Sequence, residues 1–74
     1  MRLKIRLDTR TEALRLVQIA SGLEDEDIYL VDGKGKLCVH AKSMMGVLYS
    51  MEFTDLGIES ANNHYYAFSS FAID

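Results

Sequence analysis

The chain opens on strict alternation. In RLKIRL, residues 2–7, Leu3, Ile5 and Leu7 point one way and Arg2, Lys4 and Arg6 the other, which predicts a half-buried strand. The period then lengthens. Ala13, Leu16, Val17, Ala20 and Leu23 recur at three- and four-residue steps, the apolar stripe of a helix. Thr9 precedes Glu12 by three residues, the spacing of a capping box, and Gly22 is suited to end the helix. An acidic loop, EDED at 24–27, follows.

Alternation returns at 27–31, DIYLV, with Ile28 and Leu30 inward. Asp32 to Gly35 reads as a hairpin turn, because Asp-Gly tolerates positive φ. The returning strand, 36–41, sets Leu37, Val39 and Ala41 on one face and Cys38 and His40 on the other. A second helix starts at Ser43 and fades near Phe53. Residues 55–61 predict a fourth, weaker strand, since Gly57 packs no side chain. A last helix is expected over 62–73, capped by Asn62 or Asn63, with Tyr65, Phe68 and Ala72 sharing a face and Tyr66 half exposed.

The order β-α-β-β-α-β-α, with one apolar face per element, predicts an α+β fold. Its economical form is a four-stranded antiparallel sheet with three helices on one face and water on the other. At 74 residues the chain is a single domain, spanning 1–74, that must spend most of its apolar 49% on one core. The net charge of −3 disfavours a nucleic-acid binder, which works by neutralising phosphates. Lone Cys38 rules out an internal disulfide and fits a reducing, cytoplasmic compartment. No segment has the run of apolar residues a membrane span needs, and the charged start lacks the apolar core of a signal peptide.

One stretch is more specific than patterning. GKLCVHAKSMMGVL, 35–48, resembles the HPr family of the bacterial sugar phosphotransferase system. Many members carry G-K-x-V-N-A-K-S-I-M-G-V-M there. Val39, Ala41, Lys42, Ser43, Met45, Gly46 and Val47 match, Met44 and Leu48 are conservative replacements, and His40 stands where asparagine is usual. LVQIASGLEDEDIYL, 16–30, is similar to the family's first helix and second strand, and the element order agrees. The resemblance covers roughly residues 7–50 and implies the HPr-like open-faced β-sandwich.

It also implies two phosphorylation sites. HPr proteins carry phosphate on a histidine in Leu-His-x-Arg-Pro at the start of the first helix. The corresponding text here is LDTRT, 7–11: Leu7, Thr9 and Arg10 match, Asp8 replaces the histidine and Thr11 the proline. A carboxylate is a poor substitute in a site built for imidazole, and a Thr9–Glu12 capping box puts negative charge where phosphate would go. The carrier positions Asp8, Thr9 and Arg10 are therefore read as degenerate, and no catalytic residue is expected. In Gram-positive relatives the serine matching Ser43 is phosphorylated by a kinase. Serine is equally a strong N-cap, and both roles are compatible.

The second helix carries a conflict. A helical wheel places Met44, Val47, Leu48 and Met51 on the core stripe. The resemblance puts Met44, Met45 and Leu48, beside Lys42, on a patch that docks partner proteins. Val47 and Met51 are taken as core, and Met45 with part of Met44 and Leu48 as exposed. Gly46 allows close approach by either a partner or a neighbouring strand. Cys38 and His40 are too few for a metal site, so no metal or cofactor is expected. Arg2, Lys4 and Arg6 form a basic stripe that Glu59 balances.

The expectation is a non-enzymatic regulatory or docking module of the phosphotransferase system, switched at Ser43. Its partners would be an enzyme, kinase or regulator of that system, with no nucleic acid and no membrane insertion. The alternatives are a carrier using Asp8 or a displaced histidine, and a degenerate paralogue that binds an anion or oligomerises through Arg2, Lys4 and Arg6.

Overall fold

The computed structural model describes residues 1–73. Its elements are β1 (Arg2–Lys4), α1 (Arg10–Ser21), β2 (Ile28–Asp32), β3 (Cys38–His40), α2 (Met44–Ser50), β4 (Leu56–Ser60), α3 (Tyr65–Phe68) and a 3-10 turn, Ser69–Phe71. The four strands form one antiparallel sheet in the order β1-β4-β2-β3. Alternation decides the faces. Leu3, Ile58, Leu30 and Val39 form one cross-strand row toward the helices; Arg2, Glu59, Tyr29 and His40 form the row on the open side. Leu16, Ile28, Leu30, Val47, Ile58 and Phe68 are the largest apolar residues fully buried between the layers.

Helix α1 forms as its sequence predicts. Thr9 caps it, its hydroxyl accepting from the Glu12 N–H while the Glu12 carboxylate accepts from the Thr9 N–H. Ala13, Leu16, Val17 and Ala20 are buried, and the helix stops before Gly22. β4 falls one residue short of the expected span at each end, and β1 and β3 are shorter still. β1 stops at Lys4, although Ile5 extends it through an isolated bridge to Ala72. β3 covers only Cys38–His40 because Asp32 takes over the turn: its carboxylate accepts the N–H groups of Lys36 and Leu37 at 2.7 and 2.8 Å. Gly35 supplies the left-handed residue of that turn, at φ 71°.

Two expectations are corrected. β4 is not a weaker strand: it lies inside the sheet, paired with β1 and β2 at once. A backbone bonded on both sides outweighs the missing side chain of Gly57. The last helix does not run over 62–73. It is one turn, Tyr65–Phe68, passing into the 3-10 turn. The Asn63 side chain accepts the Tyr65 N–H at 2.9 Å, but the residue at the N-cap is His64. Phe68 is buried as expected. Tyr65 is 47% exposed and Tyr66 92%, and Phe71 takes the core position instead. The 3-10 winding turns Phe71 inward, beneath the Arg15 guanidinium at 5.3 Å from the ring centre.

Candidate functional site

The start of α1 is closed on itself. The Glu12 carboxylate receives the N–H groups of Asp8 and Thr9 at 2.9 and 3.1 Å, using donors that an incoming phosphate would need. Asp8 is exposed, with the Arg6 Nε 4.0 Å from its carboxylate, and Arg10 is exposed in the first turn. Neither histidine is nearby in the fold. His40 lies on the open sheet face, its ring 4.8 Å from that of Tyr29, and His64 precedes α3.

The start of α2 is also capped. The Ser43 hydroxyl accepts the Gly46 N–H at 3.1 Å. Gly46 is explained from inside the molecule: a Cβ there would lie 2.9 Å from the Cβ of Val39 on β3. The ammonium of Lys42 is engaged as well. It donates to the Leu23 carbonyl at 2.8 Å and to the Glu26 carboxylate at 2.9 Å, so it ties the approach to α2 to the loop after α1.

Those contacts orient the two helices. Lys42, just before α2, reaches the end of α1. Asp8, just before α1, lines a groove of about 330 Å³ together with Phe53 and Asp55, just beyond α2. The helices therefore run antiparallel, and α1 alone spans about 18 Å at 1.5 Å per residue. Asp8, Thr9 and Arg10 lie at the opposite end of this pair from Ser43. They do not form one site.

The α2 surface resolves the conflict in the wheel. Val47 is buried, and Met44, Leu48 and Met51 are half-buried and packed on the core. Met45 is 83% exposed and Tyr49, one turn later, 58%. The Tyr49 ring meets Phe53 edge-on at 5.2 Å. Phe53 in turn lines the groove with Ile5, Leu7, Leu56 and Ile73. An apolar stripe thus runs from Met45 along α2 and into the groove. The groove pairs positions far apart in the chain, and sequence periodicity carries no signal for it.

The basic stripe is balanced. Arg2 pairs with Glu59 at 2.9 Å, and Lys4 lies 3.9 Å from Asp55. Cys38 and His40 are exposed on the open face as expected. Among the described residues, no three His, Cys, Asp or Glu side chains converge as a metal site would require.

A further polar cluster has no sequence signal. The Asp25 carboxylate pairs with His64 Nε2 at 2.8 Å and accepts from Asn62 at 2.9 Å and from the Asp27 N–H at 2.9 Å. The hydrogen bond from His64, then those from Asn62 and Asp27, pull the Asp25 carboxyl down from 3.8 to about 2. The cluster joins two loops separated by 39 positions, so only the fold reveals it. Burial pushes the Asp32 carboxyl up, but the N–H groups of Leu37, Lys36 and Lys34 outweigh it and leave the group below its ordinary value.

No protein-family model, curated protein or solved structure matches the chain. No helix among the described residues is long and apolar enough to cross a membrane.

Proposed function

We propose that the chain is a divergent HPr-like protein with an open-faced β-sandwich fold, related to the phosphoenolpyruvate-dependent sugar phosphotransferase system. It acts in the cytoplasm as a regulatory docking module without histidine phosphotransfer. The run Ala41-Lys42-Ser43-Met44-Met45-Gly46-Val47 and the element order support the family. Aspartate at position 8, and the Glu12 carboxylate folded over the α1 N-terminus, support the loss of carrier chemistry.

One observation carries the docking role. Met45 and Tyr49 stand 83% and 58% exposed on successive turns of a helix capped by Ser43. A thioether beside an aromatic ring makes an adaptable apolar surface suited to an enzyme, kinase or regulator of that system. Phosphate on Ser43 adds about −1.5 to −2 charges beside that surface, which changes partner choice without a change of fold.

The test has three arms. Incubation with enzyme I and labelled phosphoenolpyruvate is expected to leave the chain unlabelled; acid-labile label retained on it would restore the carrier reading. HPr kinase and ATP are expected to label the protein but not the Ser43→Ala variant. In pull-downs against phosphotransferase-system proteins, Met45→Asp and Tyr49→Asp, both at exposed positions, are expected to abolish capture. Unchanged capture by both variants overturns the docking surface.

A further inference from the structure

The two edges of the sheet differ. In β1, Met1, Leu3 and Ile5 turn their backbone groups toward β4, as the Ser60 N–H to Met1 carbonyl and Ile5 N–H to Leu56 carbonyl bonds require. Arg2, Lys4 and Arg6 therefore turn theirs outward. The chain covers part of that edge itself. The Ile73 N–H donates to the Lys4 carbonyl, and the Arg6 N–H to the Phe71 carbonyl.

Among the described residues, no second segment covers the β3 edge in this way. The Ala41 N–H donates to the Ile28 carbonyl, so Ala41 and Val39 carry the hydrogen bonds to β2. By the alternation of an antiparallel ladder, Cys38 and His40 face outward. The His40 carbonyl is taken by the Ser43 N–H. Among the described residues, the Cys38 N–H, the Cys38 carbonyl and the His40 N–H have no hydrogen-bond partner along this exposed edge.

Charge selects what suits it. Lys34 and Lys36 lie at the entrance to β3, both exposed, and among the described residues neither ammonium has a carboxylate within 4.0 Å. Every lysine or arginine of the β1 stripe does have one. A second copy fits poorly. Antiparallel self-pairing centred on Cys38 sets Lys34 and Lys36 opposite Lys42 and His40 of the second copy, and centring on Val39 sets them opposite Met44 and Lys42, so neither register supplies a carboxylate.

We propose that the outer edge of β3 is a strand-addition site for an extended, carboxylate-rich segment of another protein. Main-chain bonds to Cys38 and His40 hold the added strand, and acidic side chains at alternate positions meet Lys34 and Lys36. The surface is separate from the α2 face, so the proposal goes beyond the docking reading.

The probe is a short, end-blocked peptide alternating glutamate and threonine, titrated into isotope-labelled protein. Amide exchange at Cys38 and His40 is expected to slow, while Val39 and Ala41, already bonded to β2, stay unchanged. Added salt and Lys36→Glu are each expected to weaken binding, the variant by about tenfold. Cys38→Pro removes an outward donor without touching the β2 ladder, and is expected to bind more weakly at unchanged far-ultraviolet circular dichroism. The proposal is overturned if Cys38 and His40 gain no protection, if a lysine–threonine peptide binds as well, or if the shifts centre on Met45 and Tyr49.

Discussion

At Gly46 a methyl group would collide. Its Cβ would meet the Val39 Cβ at 2.9 Å and the Ser43 hydroxyl at 3.2 Å. Alanine is the better helix former by about 1 kcal/mol, yet overpacking costs about 1–3 kcal/mol. Gly46→Ala is therefore expected to lower stability, by about 1 kcal/mol in urea unfolding, against the direction of helix propensity. At Asp25 the expectation concerns pH. The folded carboxyl, near 2, binds protons less readily than the unfolded one, at 3.8. Its contribution is complete above pH 3.8 and is lost as pH falls toward 2. The lowered Asp32 carboxyl acts in the same sense. Asp25→Asn is expected to flatten the acid limb of the unfolding midpoint in that window. The glycine was visible in the sequence and its neighbour was not. The acidic loop was visible too, but its histidine lies 39 residues away.

At the scale of elements, legibility followed the length of the pattern. Helix α1 repeats its apolar step over 12 residues and carries a local cap, so its start, face and end are all readable. β4 was readable as a strand but not as an interior one, because pairing on both sides is a property of the sheet. The last helix failed for a related reason. Aromatic spacing over 65–72 fits α-helical and 3-10 winding almost equally, and the fold takes the 3-10 turn, from which Phe71 is buried in the core. Substitutions should reflect this. Phe68→Ala is expected to cost about 3–5 kcal/mol, a large share of the stability of so small a domain. Tyr65→Ala, at a site the stripe marks as core, is expected to stay within about 1 kcal/mol. Thermal or urea denaturation of the two variants side by side checks both.

At the scale of the molecule, the antiparallel pairing of α1 and α2 decides how sites combine. It sends Asp8 and Ser43 to opposite ends of the pair and joins Met45, Tyr49 and Phe53 to the groove by Leu7. Lys42 bridges the two loops at one end. Lys42→Met keeps the stem but removes the bond to the Leu23 carbonyl, and is expected to cost about 1.5 kcal/mol by urea unfolding. Its exposed partner Glu26 should matter little: Glu26→Gln is expected to change stability by under about 0.5 kcal/mol. The amino-acid order alone determined which residues of α1 and of the first three strands face the core, where α1 and α2 are capped, and the order of strands and helices along the chain. Those are properties of neighbours a few positions apart, governed by the periods of helix and strand. Only tertiary structure decided which strand lies inside, which sheet edge stays open, that Gly46 makes room for β3, and that Asp25 meets His64. Each depends on the spatial meeting of distant segments, where packing and backbone pairing outweigh any local preference.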